Sequence, residues 1–138
     1  MKSFILSIAL VFSTFIFAQE VEGITIEVTI DNVTNNEGKV VFALHTAETF
    51  MVSQGVKNAE SAIQEGKVKV VFENVTPGSY AILALHDQNE NGRMDFEPNG
   101  MPKESYGTSN NPMSYGPPQF AESKFDVGGE NQKIHIRF

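Results

Sequence analysis

From Gly23 to Asp31 the chain reads Gly-Ile-Thr-Ile-Glu-Val-Thr-Ile-Asp, with Ile24, Ile26, Val28 and Ile30 at period two and polar residues between them. Successive side chains of a strand point to opposite faces, so this alternation dictates a half-buried strand. Strand-like runs recur at 39–46, 66–75, 79–86, 119–127 and 131–138, and the run 79–86 is apolar on both faces. Turn chemistry separates them at Asn32 to Gly38, at Thr76-Pro77-Gly78 and at Gly128-Gly129. Six strands with short turns and almost no helix signal predict an all-β fold, an antiparallel β-sandwich. Val28, Phe42, Phe72, Ile82, Phe125 and Ile136 are its expected core. The stretch 47–65 has a weak apolar stripe broken by Gly55 and reads as a loop with one or two helical turns.

Residues 1–18 stand outside that pattern. Lys2 heads a mostly apolar run from Phe4 to Phe17, and Ala18 supplies a small residue before Gln19. This is the layout of a secretory signal peptide, and the run is too short for a permanent membrane span. The protein is therefore expected to be exported, to the periplasm, the outer surface or the medium, with residues 19–138 as a single domain. Removing residues 1–18 takes away one lysine and no acid, moving the formal charge from −7 to −8. Such a surface repels phosphate backbones and suits cations, so nucleic acid is not an expected partner, nor is a membrane span expected after cleavage. With no cysteine, the fold has no disulfide and no thiol chemistry.

The run 79–86 leads directly into Asp87-Gln88-Asn89-Glu90-Asn91-Gly92-Arg93-Met94-Asp95. Oxygen-bearing side chains at 87, 89 and 91, glycine at 92 and a carboxylate at 95 match the core of a calcium loop, in which a tight turn wraps short side chains around one ion. Asp87, Asn89, Asn91, Asp95 and the Arg93 carbonyl are the expected ligands, with Glu97, Asn99 or Glu104 completing the shell. The Asp87 side chain is expected to face the ion and not the core. A helix–loop–helix calcium site is excluded, because a strand precedes the loop and its twelfth position is Pro98 where a bidentate glutamate would stand. The competing reading is an Asx-rich turn held by side-chain to backbone hydrogen bonds. The whole segment 87–118 has no strand or helix pattern, yet Met94, Phe96, Met101, Tyr106, Met113 and Tyr115 mark it as an ordered loop.

Other candidate chemistry is thin. His45, His86 and His135 each sit on or at the end of a strand-like run, and a shared transition-metal site would require all three to converge. Glu97 with Glu104, or Ser105 and Ser109 beside a histidine, are combinations any acidic loop contains. Asn32-Val33-Thr34 and Asn74-Val75-Thr76 fit the N-glycosylation pattern, a three-residue match that chance supplies often.

The runs Thr76-Pro77-Gly78-Ser79-Tyr80-Ala81, His86-Asp87-x-Asn89-x-Asn91-Gly92-x-x-Asp95 and Gly100-x-Pro102-x-Glu104-x-Tyr106-Gly107-x-Ser109-Asn110-Asn111 together resemble the DUF2141 family of bacterial secreted proteins. The match spans about Gly23 to Phe138, with one departure at Thr108, where the family tends to carry an aromatic. The resemblance implies a periplasmic or surface β-sandwich of the immunoglobulin-like or transthyretin-like kind, and no assigned activity. Two functions follow as expectations. One is a non-enzymatic calcium-binding module that presents Phe96, Tyr106 and Tyr115 to a protein, glycan or small ligand. The other is a hydrolase-like enzyme using loop carboxylates or His86. An open cleft shared by Glu104 and His86 would favour the enzyme, and both locked by hydrogen bonds would favour the module.

Overall fold

The computed structural model describes residues 23–138. The expected signal peptide at 1–18 lies outside the described residues. The elements run β1 (Ile24–Ile30), β2 (Lys39–His45), β3 (Lys57–Ala62), β4 (Val68–Val75), β5 (Gly78–Asp87), β6 (Tyr106–Thr108), α1 (Phe120–Ser123), β7 (Phe125–Val127) and β8 (Gln132–His135). They form two packed sheets, one ordered β4-β1-β8 and the other β3-β2-β5-β6, with β7 alongside β5. Among the described residues no helix is long and apolar enough to cross a membrane.

Period-two patterning decides which faces meet. Ile26, Val28 and Ile30 of β1 are buried, and they confront Val40, Phe42 and Leu44 of β2 and Ile82 and Ala84 of β5 in one core cluster. Each of the larger side chains among them, fully buried, contributes about 1.5–3 kcal/mol. Phe72 and Ile136 join the cluster, whereas Phe125 is only partly buried against it.

Four features depart from the sequence reading. Lys57–Ala62 is a strand and not a loop with helical turns; its residues are half-buried and exposed in turn, and pairing with β2 makes the strand without an apolar alternation to announce it. Within the long loop, Tyr106–Thr108 pairs with β5 as a three-residue strand. The run 119–127 divides into one turn of helix and a short strand. The sandwich is also not wholly antiparallel, because β8 runs parallel to β1 in the register Ile26↔Gln132 to Thr29↔His135.

Two asparagines continue the β8 pairing by imitation of a strand. Asn32 Nδ2 donates to the Phe138 carbonyl at 2.9 Å while its Oδ1 accepts the Phe138 N–H at 3.1 Å. Asn111 does the same for its own neighbours, donating to the His135 carbonyl at 3.0 Å and accepting from Arg137 N–H at 2.8 Å. The position where an aromatic was expected, Thr108, is buried and its hydroxyl accepts from Ser123 at 2.9 Å.

Candidate functional site

The site grows from the end of β5. On one side of this strand Ile82, Ala84 and His86 point into the core, and on the other Leu83 and Leu85 are half-buried beneath the 87–118 loop. Asp87 closes the strand with no exposed surface, and its carboxylate accepts the backbone N–H groups of Asn91 at 3.2 Å and Gly92 at 2.8 Å. The turn this requires puts Glu90 and Gly92 in the left-handed region, at φ 55° and 76°. Gly38, at the entry to β2, has no room for a side chain, since a Cβ would stand 2.1 Å from the Asp87 carbonyl oxygen.

Further on, Asn89 Oδ1 accepts from Asn91 N–H at 3.4 Å, and Asn91 Oδ1 from Arg93 N–H at 3.1 Å. Both side-chain amides then donate to Asp95, Asn89 at 2.6 Å and Asn91 at 2.8 and 3.0 Å to its two oxygens. Those bonds, the one from Asn89 first, hold the Asp95 carboxyl below the usual aspartate range. Glu104, buried, ties the two ends of the turn together by accepting from Gln88 N–H at 2.7 Å and Asp95 N–H at 3.2 Å.

The expected ligands Asp87, Asn89, Asn91, Arg93 and Asp95 are therefore brought into one compact turn. Glu104 joins them, whereas Asn99 spends its side-chain oxygen on Met101 N–H at 3.1 Å. The donor set is all oxygen, the chemistry of a hard cation. As the turn stands, its carboxylates are directed at backbone and side-chain amides, and among the described residues no group of three or more acidic or histidine side chains is gathered around a common centre. The Asp87 carboxylate is fully buried, but inside the turn it organises and not within the hydrophobic core.

Beside the turn lies a groove of about 620 Å³ between β5 and the loop, lined by Leu83, Leu85, Met94, Phe96, Met101 and Tyr106 among others. Phe96 and Met101 stand well exposed at its rim. Of the three aromatics singled out from the sequence, Phe96 and Tyr106 line the groove, while Tyr115 is fully exposed and does not. The groove was not legible beforehand, although the apolar outer face of the 79–86 run was its signal.

The histidines do not converge. His45 and His86 pair with Ala81 and Val40 respectively, at opposite ends of the β2–β5 ladder, and His135 lies on the other sheet. His86 donates from Nε2 to the Glu37 carbonyl at 2.7 Å and stacks on Phe138 with ring centroids 6.4 Å apart. Its Nδ1 is buried without a hydrogen-bond partner. His135 sits 3.1 Å from the Thr29 hydroxyl and 3.4 Å from Asp31 in an open groove between the sheets. Ser109 is buried, donating to the Ser123 carbonyl at 2.5 Å and accepting from Ile82 N–H at 2.9 Å.

No curated protein and no solved structure matches the chain. A family model does, over residues 28–135, from the second half of β1 to the last residue of β8. That span takes in both sheets, the Asp87–Asp95 turn and the groove, and the chain accordingly belongs to DUF2141, a family described as uncharacterized and conserved in bacteria.

Proposed function

We propose that this protein is an exported, non-enzymatic binding module in which one calcium ion fixes the loop that walls an apolar groove. Asp87, Asn89, Asn91, the Arg93 carbonyl and Asp95 are the ligands, and Glu104 closes the shell. The observation that carries this reading is the continuity of turn and groove: Met94 and Phe96, which line the groove, flank Asp95, the last of the ligands. An ion would replace the three hydrogen bonds now donated to Asp95 and would draw on the Asn89 and Asn91 oxygens, which otherwise accept the Asn91 and Arg93 N–H groups. Hydrolysis by Glu104 or His86 has less support, since both are buried and already engaged by hydrogen bonds.

Titration of EGTA-treated protein with calcium, followed by the melting temperature, tests the reading. A saturable rise that is lost in Asp95→Asn is expected. A melting curve unmoved by millimolar calcium would overturn it and leave the turn as an Asx-rich structure.

A further inference from the structure

We infer that the groove beside the Asp87–Asp95 turn holds a single anionic amphiphile, an unbranched acyl carboxylate, with its hydrocarbon against Leu83 and Leu85 and its carboxylate at the Arg93 guanidinium. This deepens the binding-module reading above and rests on it, but not on the calcium ion.

The charge pattern of the lining selects the ligand. Among the described residues Arg93 is the only charged one that lines the groove, and the remainder is apolar apart from the Tyr106 hydroxyl. Arg93 belongs to an acid-rich segment, yet among the described residues its guanidinium forms no ion pair and no hydrogen bond; only its backbone N–H is engaged, with Asn91. An exposed guanidinium at the edge of an apolar groove offers a forked donor for one carboxylate. Among the described residues no acidic side chain lines the groove to receive a cationic head.

Shape agrees with charge. At about 620 Å³ the space falls within the range of roughly 300–1,000 Å³ usual for small-molecule sites. Its floor is the outer face of β5, where Leu83 and Leu85 would otherwise be left to water, and its walls carry Met94 and Met101. Flexible thioether side chains fit a hydrocarbon chain of variable conformation better than rigid aromatic walls would.

Titration calorimetry of the full chain with hexanoate, octanoate and decanoate, each kept below micelle formation, tests the inference, with decyltrimethylammonium as the cationic counterpart. The titrations are run in EGTA and repeated with calcium. One molecule per chain is expected, with affinity rising about two- to fourfold per added methylene. Arg93→Gln, at an exposed position, should weaken decanoate about three- to tenfold while keeping the chain-length dependence, and the cation should bind more weakly than decanoate by at least as much. Leu85→Gln should instead flatten the dependence on chain length. Equal affinity for both head groups, an unchanged Arg93→Gln, several molecules per chain or no saturation would each overturn the inference. Decanoate binding of the expected pattern without any calcium response would remove the metal from the proposed function and leave this inference standing. A calcium response without decanoate binding would do the reverse.

Discussion

The carboxylate of Asp87, with no surface exposed, accepts the backbone N–H of Gly92 at 2.8 Å. One buried side chain thus fixes the turn five residues ahead of it. Removing it leaves the Gly92 amide without its acceptor and Asn91 with only the long bond to Asn89, a loss of about 1–3 kcal/mol. Asp87→Ala should lower stability by that amount in calcium-free urea unfolding. A loss below about 0.5 kcal/mol would mean that the carboxylate does not organise the turn.

Calcium should stabilise the native protein in proportion to its occupancy. Extracellular calcium modules commonly have dissociation constants of about 10⁻⁴–10⁻³ M, and the lack of a bidentate glutamate at Pro98 points to that weak range. At ten times the dissociation constant, linkage adds about 1.4 kcal/mol, or roughly 4–8 °C in melting temperature. Magnesium, which keeps its water and demands an octahedral shell, should give much less. Differential scanning calorimetry with each ion in turn measures the contrast.

His45 makes the fold sensitive to mild acid. Burial pushes its imidazole below the ordinary value of 6.5, against a smaller opposing effect of the bond to Thr49. The unfolded chain therefore takes up a proton near pH 6.5 that the folded protein refuses. The contribution of His45 to stability is fully present above that pH and is lost as pH falls through the depressed folded value. Chemical denaturation across this interval should show stability falling with acid, and His45→Gln should flatten the slope.

Phe72 is 3% exposed and lies opposite Ile26 in the β1–β4 ladder. Phe72→Ala should cost about 3–5 kcal/mol in denaturant unfolding. A cost below about 1 kcal/mol would mean that the cavity collapses or that the side chain is not where the core needs it.

The elements most legible in the sequence were those whose own residues bury a face. Ile24 to Ile30 and Ser79 to His86 announce themselves because alternate apolar side chains have to leave water. β3 was invisible for the opposite reason: Lys57, Asn58, Glu60 and Ser61 bury little, and the strand exists because β2 offers an edge. Parallel pairing of β8 with β1 was hidden too, since alternation fixes a face and not a direction. At the site, spacing identified Asp87, Asn89, Asn91 and Asp95 as a group. It offered Glu97, Asn99 and Glu104 as further members without choosing Glu104, which reaches back to Gln88 and Asp95, because that contact depends on where the intervening 96–102 turn folds.

The pairing of Thr29 with His135 joins residues separated by 106 positions. A chain emerging from its N-terminal end completes β2, β3, β4 and β5 long before β8 exists, so β1 keeps one open edge until nearly the whole sequence is available. Closing so distant a contact costs loop entropy before any packing rewards it, which places this step late and makes it slow. An unclosed strand edge is a template for pairing with another chain. The period between synthesis and the docking of β8 is therefore when two copies of this protein are most at risk of sticking together.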